Sequence, residues 1–324
     1  MTVPLRKRVK RRVRSALVRA VARLFGLVPL RPALALAALV GRVGWRAAAR
    51  TRALMLAQLA IAFPDRTPEE RAAIGRASLV HLARLAAEVA TLRAWRDRLP
   101  EYVRFTPGAE ERFAEAVGRG KGLVFATGHV GNWELLAQRI ALRWPSAVIA
   151  RSGNDPAVTE LVGRIRAEGN LETLWREEPS TARAMIRTFR QGRPLGILID
   201  QDTRVQSVFV PFFGRPAATP RGAAELALRF GAPVLAGWCR RAGPRPGDGH
   251  VIDFAEVPYD PDPPDREEEI VRLTAACSAL LEAAIRASPA EWVWMHERWR
   301  TRPELVAERP QANRVPKSVE LSSG

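Results

Sequence analysis

The chain has 324 residues, 47% of them hydrophobic, enough for one substantial core and incompatible with an intrinsically disordered protein. Its formal net charge of +17 predicts an attraction to anions, phosphates above all. Only two cysteines, Cys239 and Cys277, are present; both fall in apolar segments that read as a strand and a helix, which excludes a disulfide framework and suits a reducing compartment.

Residues 1–23 carry nine basic side chains and no acidic one, directly ahead of the apolar stretch "LFGLVPLRPALALAALVGRVGW". Nucleic-acid arms are equally basic but are not usually followed by such a stretch, so a membrane surface is the expected partner. The basic segment is long for a signal peptide and no clear cleavage site follows it. Arg31 and Arg42 bound an apolar run far shorter than the roughly 20 residues a spanning helix needs. A pair of interfacial helices with arginines snorkelling to lipid phosphates fits better, a short single pass being the alternative.

Residues 32–62 read as helix, and Thr67-Pro68-Glu69-Glu70 is a capping box that starts another, running to about Trp95. Residues 1–100 are therefore expected to form a basic arm and a helical, membrane-facing subdomain. Beyond Pro100 the rhythm changes. Short apolar runs at 122–128, 146–151, 171–175, 194–200 and 232–239 read as strands, with helical patterns at 109–118, 132–143, 156–168, 180–191 and 219–230 between them. This alternation predicts an α/β fold with a mostly parallel central sheet flanked by helices over residues 101–303, and a loose tail over 304–324. In such sheets sites form beyond the carboxyl ends of the strands, where His129, Arg151 and Asp200 all fall.

"TGHVGNWELLAQ" (127–138) holds one of only four histidines. A histidine there can take a proton from a hydroxyl and return it to a leaving group, provided a carboxylate fixes its tautomer. Glu134 is a candidate for that carboxylate. Five residues on one helix turn through roughly 500°, so the pair meets only if His129 stands on the turn before the helix, with Gly128 and Gly131 bending the chain and Asn132 near the cap. The plainer reading is that Asn132 and Glu134 serve only capping and the helix dipole.

The stretch "GHVGNWE" resembles the His-x4-Asp/Glu motif of membrane acyltransferases, in particular the bacterial lipid A late (lauroyl or myristoyl) acyltransferases. Further elements follow in that family's order: "VIARSGNDP" with Arg151, "GILIDQD" with Asp200, Gln201 and Asp202, "VFVPFFGRPAATPRG" with Phe212, Phe213, Gly214, Thr219 and Gly222, and the Trp-rich "EWVWMHERWRTRP". The likeness spans roughly residues 20–303. It departs from the family at Ala150, where relatives often carry Tyr, and at "RSGN", which replaces a more Pro/Asn-rich turn.

The resemblance implies that His129 is a general base on an acceptor hydroxyl and that Glu134 orients it. It also implies a substrate site formed by Arg151, Asn132, Arg164, Asp200, Asp202, Phe213, Gly214 and Thr219. Arg151 would grip a phosphate of the acceptor or of a phosphopantetheine donor. Asp200 and Asp202 would support Arg151, Arg164 or the His129 turn, Phe213 and Gly214 would line an acyl slot, and Thr219 would cap a helix facing an oxyanion or phosphate. Core packing explains the Phe pair equally well, as plain capping explains Thr219.

No zinc-ligand spacing, G-x4-G-K-[ST] loop or G-x-S-x-G elbow occurs, so no metal and no enzyme nucleophile is expected. The expected co-substrates are an acyl thioester, carried by acyl carrier protein or CoA, and an anionic lipid acceptor, with no further cofactor and no nucleic acid. A lipid A precursor is the implied acceptor; a lysophospholipid, aminolipid or phosphoglycolipid is the runner-up. The implied location is the cytoplasmic face of a bacterial inner membrane. The rival from another class is a non-catalytic basic membrane- or nucleic-acid-binding protein. His81 reads as a packed or surface residue and His250 as exposed; His296 carries no assignment.

Overall fold

A computed structural model describes residues 28–153 and 155–304. The basic arm of residues 1–23, and the expected tail beyond Glu304, lie outside the described residues.

Among the described residues three helices come first: α1 (Leu30–Ala47), α2 (Ala49–Ala62) and α3 (Pro68–Thr91). The expected single helix over 32–62 is thus two, because Ala48 leaves helical geometry at φ −90°, ψ 67°. Neither Gly nor Pro marks that break. Small residues Ala33, Ala37 and Gly41 on α1 recur every fourth position and face α3. A Cβ on Gly41 would stand 2.6 Å from the Val80 Cα, so the two helices cross in near-backbone contact. The opposite face of α1 leaves Leu36, Leu39, Val40 and Val43 exposed. Helix α3 starts at the expected capping box, with the Glu70 N–H donating to Thr67 Oγ1 (3.2 Å) and the Thr67 N–H to Glu70 Oε2 (2.7 Å).

After a helical turn at Leu99–Tyr102 the chain alternates: β1 (Val103–Phe105), α4 (Ala109–Gly118), β2 (Leu123–Thr127), α5 (Trp133–Arg143), β3 (Ser146–Ala150), α6 (Pro156–Ala167), β4 (Leu171–Trp175), α7 (Thr181–Arg190), β5 (Pro194–Leu198). A hairpin, β6 (Ser207–Phe212) and β7 (Arg215–Pro220), precedes α8 (Gly222–Phe230), β8 (Val234–Arg241), β9 (His250–Glu256) and α9 (Arg266–Ala287). The seven-stranded sheet runs β1-β9-β8-β2-β5-β3-β4, and every pair is parallel except β8–β9. The α/β class and mostly parallel sheet match the sequence reading. Strands β1 and β9 and the hairpin are additions to it.

One face of the sheet buries Leu123 and Phe125 beneath α4 and α5, and the other buries Val124 and Ala126 beneath α7, α8 and α9. Strand β2 is buried along its whole length, as a central parallel strand must be. Strands β3 and β5 pair only at Ala147–Leu195 and Val148–Gly196, and part beyond those residues. This splaying opens a crevice at the carboxyl edge of the sheet. No helix among the described residues is long and apolar enough to cross a membrane.

Candidate active site

A cavity of about 1700 Å³ occupies that crevice. It exceeds the usual small-molecule range of about 300–1,000 Å³ and has room for an extended ligand. His129 lines it at the end of β2, Trp133, Leu136 and Ile140 of α5 form one apolar wall, and Val148 and Leu171 continue that wall on the sheet. Arg151, Arg166, Arg176, Arg204, Arg221 and Arg300 supply a cationic margin. Among the described residues no ion pair neutralises Arg151, Arg176 or Arg204.

The turn carrying His129 depends on two glycines. A Cβ on Gly128 would lie 2.9 Å from the Asp200 carboxyl, and one on Gly131, at φ +62°, would overlap the Cys239 carbonyl oxygen. With both positions bare, the His129 N–H donates to Asp200 Oδ2 (2.6 Å) and the ring Nδ1 meets Asp200 Oδ1 (2.8 Å). The Trp292 indole N–H donates to Oδ2 as well (2.7 Å). Three donors converge on one buried carboxylate, so His129 carries its proton on Nδ1. Its Nε2 has no hydrogen-bond partner among the described residues, while the ring, packed edge-on to Trp133 at 4.8 Å, borders the cavity. Burial pushes the Asp200 carboxyl up, but the His129 charge and the hydrogen bonds from His129 and Trp292 outweigh it and hold the group below the usual carboxylate range. A fixed tautomer, an ionised partner behind it and an open nitrogen in front are what general-base chemistry requires of a histidine.

Glu134 is therefore not the residue that orients His129. Its carboxylate is held by Arg166 in a two-pronged pair, Arg166 Nε–H donating to Oε2 at 3.0 Å and NH2 to Oε1. Asn132 caps α5, accepting from the Leu135 N–H (3.1 Å), and this sets Glu134 in the first turn on the side facing α6. Glu134 and Arg166 both line the cavity.

Of the expected substrate-site residues, Arg151 and Asp202 border the cavity and Asp200 lies behind His129. The others are displaced from it. Asn132 is fully buried and donates from Nδ2 to Glu88 Oε2 (2.8 Å), a structural role. Arg164 projects to solvent beside Glu160, and the cavity-facing arginine of α6 is Arg166, two residues on. Phe213 packs edge-on to Phe63 and Phe212 in the core with Trp294 and Trp299, and Gly214 sits on the hairpin turn at φ +71°, so neither lines an acyl slot. Thr219 belongs to β7 and accepts from the buried Arg298 (2.6 Å); α8 starts three residues later with Arg221 at its cap, so the expected Thr219 cap is absent. Asp202 binds the C-terminal segment, accepting from the Thr301 N–H (2.7 Å) and donating its own N–H to His296 Nε2 (3.0 Å).

Sequence reasoning missed a buried polar network behind the turn. Glu88 accepts from Tyr102 (2.8 Å), Arg241 (2.9 Å), His250 (3.1 Å) and Asn132. His250 is thus buried rather than exposed. His81 accepts at Nδ1 from Arg241 Nε–H (3.1 Å), so its Nε2–H donates to the Gly131 carbonyl (3.0 Å). Burial and the Arg241 charge push His81 down to about 3. No group of His, Cys, Asp and Glu suited to a metal ion occurs among the described residues.

A histidine backed by a carboxylate, at the mouth of an apolar cavity with a cationic margin, is an arrangement suited to moving a group onto a protic acceptor. The chain belongs to the bacterial lipid A biosynthesis acyltransferase family, whose pattern matches residues 5–301. It is an acyltransferase. It is 25% identical over 273 residues to the lipid A biosynthesis lauroyltransferase of Escherichia coli, spanning 83% of this chain and 86% of that one. A lipid A biosynthesis acyltransferase of Haemophilus influenzae is 24% identical over 81% of this chain and 80% of its own. A phosphatidylinositol mannoside acyltransferase of Mycolicibacterium smegmatis is 24% identical over a shorter stretch, 57% of this chain and 59% of its own.

Proposed function

We propose that the protein moves a fatty acyl chain from an acyl thioester, carried by acyl carrier protein or CoA, to a hydroxyl of a lipid A precursor or a related phosphorylated glycolipid. The observation that carries this reading is the His129–Asp200 pair, whose open Nε2 borders a cavity both apolar and cationic. Nε2 takes the acceptor's proton as its oxygen attacks the thioester carbonyl. The C–O bond forms, the C–S bond breaks, and the thiolate leaves with the proton from the imidazolium. Ionised Asp200 stabilises that imidazolium. The acyl chain lies along the wall of α5, where Trp133 to Ile140 span about 10 Å of helix axis. Arg151, Arg176 and Arg204 draw the phosphates of donor and acceptor. Glu134 and Arg166 act as one rigid unit of the cavity wall. The relatives that act on phosphatidylinositol mannosides support the wider acceptor class.

No cofactor beyond the thioester and no nucleic acid enters this reaction. The protein works at the cytoplasmic face of a bacterial inner membrane, reaching its acceptor by lateral diffusion. The test is to incubate the purified, detergent-solubilised protein with labelled acyl carrier protein or acyl-CoA and a total bacterial lipid extract, beside His129→Ala. The expected result is an acylated lipid, identified by mass spectrometry, that the variant makes roughly 10² or more times slower. Equal product from both proteins would refute the site; donor consumed without acylated lipid would make the protein a hydrolase.

A further inference from the structure

A second cavity, about 1030 Å³, opens on the N-terminal helices, bordered by α1 and α3, the start of α2 and the end of β8. Six arginines line it: Arg42, Arg46, Arg52, Arg76, Arg84 and Arg241. Arg241 is neutralised by Glu88 below, and Arg52 donates to the Trp45 and Arg46 carbonyls. Among the described residues Arg42, Arg46, Arg76 and Arg84 have no hydrogen bond or ion pair to a carboxylate, and the Arg84 Nε is buried with no partner at all. The one carboxylate at the rim, Glu291, accepts from the Arg241 backbone N–H. Uncompensated guanidinium groups around a hollow repel one another and leave donors unmade, a cost that a multivalent oxyanion removes by accepting several of them at once.

What stands beside this hollow narrows the class of anion. Leu36, Leu39, Val40 and Val43 recur at helical spacing on the exposed side of α1, and Arg42 and Arg46 of the same helix belong to the cavity. Four exposed large apolar side chains in one stripe are half of all those exposed among the described residues. An apolar ridge bordered by free arginines matches the boundary between acyl chains and phosphates in a bilayer. A soluble phosphate compound would fill the cavity and leave the ridge in water.

We propose that this arginine cavity binds the phosphate headgroup of an anionic membrane phospholipid while the α1 ridge enters the acyl region, giving the protein a lipid site separate from the His129 cavity. The proposal is independent of the acyl-transfer reading and would hold for a catalytically inert chain. The hydrogen bonds from Arg241 through His81 to the Gly131 carbonyl join the floor of this cavity to the His129 turn.

The test compares sedimentation of the full chain with vesicles of phosphatidylcholine alone and of phosphatidylcholine mixed with phosphatidylglycerol. Three proteins are needed: wild type, Arg46→Gln/Arg76→Gln, and Arg183→Gln/Arg190→Gln, which removes the same charge from exposed positions on α7. Partition onto the mixed vesicles should fall roughly 10- to 30-fold for the cavity pair, the factor for two arginines at a membrane surface, and by less than about threefold for the α7 pair. Leu39→Ser/Val43→Ser should weaken binding to both kinds of vesicle. Equal losses for the two arginine pairs would overturn the proposal, reducing the effect to net charge. A melting temperature raised by inorganic phosphate in the wild type but not in the cavity variant, with vesicle partition equal in both, would make this a site for a soluble phosphate compound and overturn the lipid assignment.

Discussion

Replacing Asp200 by Asn tests the catalytic pair with almost no change of shape. In the native site Oδ2 accepts two donors, the His129 N–H and the Trp292 indole, and Oδ1 accepts the ring Nδ1–H. An Asn has one acceptor oxygen. Turned to keep the two bonds made at Oδ2, it presents its NH2 group to the ring, which can then meet it only with an unprotonated Nδ1. The proton moves to Nε2, and the nitrogen facing the cavity can no longer take one from a hydroxyl. The imidazolium also loses the anion that stabilises it. We expect kcat to fall roughly 10²–10⁴-fold, about 3–5 kcal/mol of barrier, with KM little changed. The assay follows thiol release and acylated lipid together, with thermal melting alongside to show that the variant is folded. Glu134→Gln keeps its wall position and one bond to Arg166, so it should lose less. The reverse order, with Asp200→Asn within a few-fold of wild type and Glu134→Gln crippled, would show that Asp200 does not set the tautomer.

Other consequences can be checked by stability. Arg166→Met strands the largely buried Glu134 carboxylate and should cost about 3 kcal/mol in urea unfolding, whereas Arg164→Met, at an exposed position, should cost less than about 0.5. Gly131→Ala needs the Cys239 strand to move at a positive-φ position, and should lower stability by more than about 3 kcal/mol and abolish turnover together. His81 faces Arg241, Glu88 and His250, and its folded pKa is about 3 against an ordinary 6.5. The unfolded chain binds a proton there below pH 6.5 that the folded chain refuses, so this contribution is complete above pH 6.5 and is lost as pH falls toward 3. Between pH 6 and 4.5 the wild type should lose about 1.4 kcal/mol per pH unit more than His81→Gln, read from denaturant midpoints. Parallel pH profiles would contradict the buried, neutral state.

The alternating core was legible because its strands are short apolar runs bounded by turn residues, and all five expected strands, β2 to β5 and β8, fall within two residues of their expected limits. The hairpin was hidden: "SVFVPFFGRPAATP" carries two prolines in β7 and one in β6, residues that argue against strand. Asp200 was legible as one possible support of the His129 turn, beside Arg151 and Arg164, but its place as the ring's partner was hidden for a different reason. It lies 71 residues away, and only sheet adjacency brings it near. Strand β2 pairs with β5 so that Thr127 stands opposite Leu198, which places residues 129 and 200 level, each two past its strand end. Nothing in periodicity states that these two strands are neighbours. Within one segment, Glu134 was the nearest carboxylate, and proximity along the chain was mistaken for proximity in space.

Trp292 has a consequence for synthesis. Its indole holds Asp200, its carbonyl accepts from Ser78 (2.6 Å), and its backbone bridges Val130. A chain still on the ribosome, with every strand of the sheet already made, lacks the residue that fixes the carboxylate behind His129. Since domains emerge from their N-terminal side first, the basic, apolar-ridged helices are available well before the catalytic carboxylate is locked. The N-terminal helices can thus form first, and the His129–Asp200 arrangement is completed only as the segment around Trp292 docks.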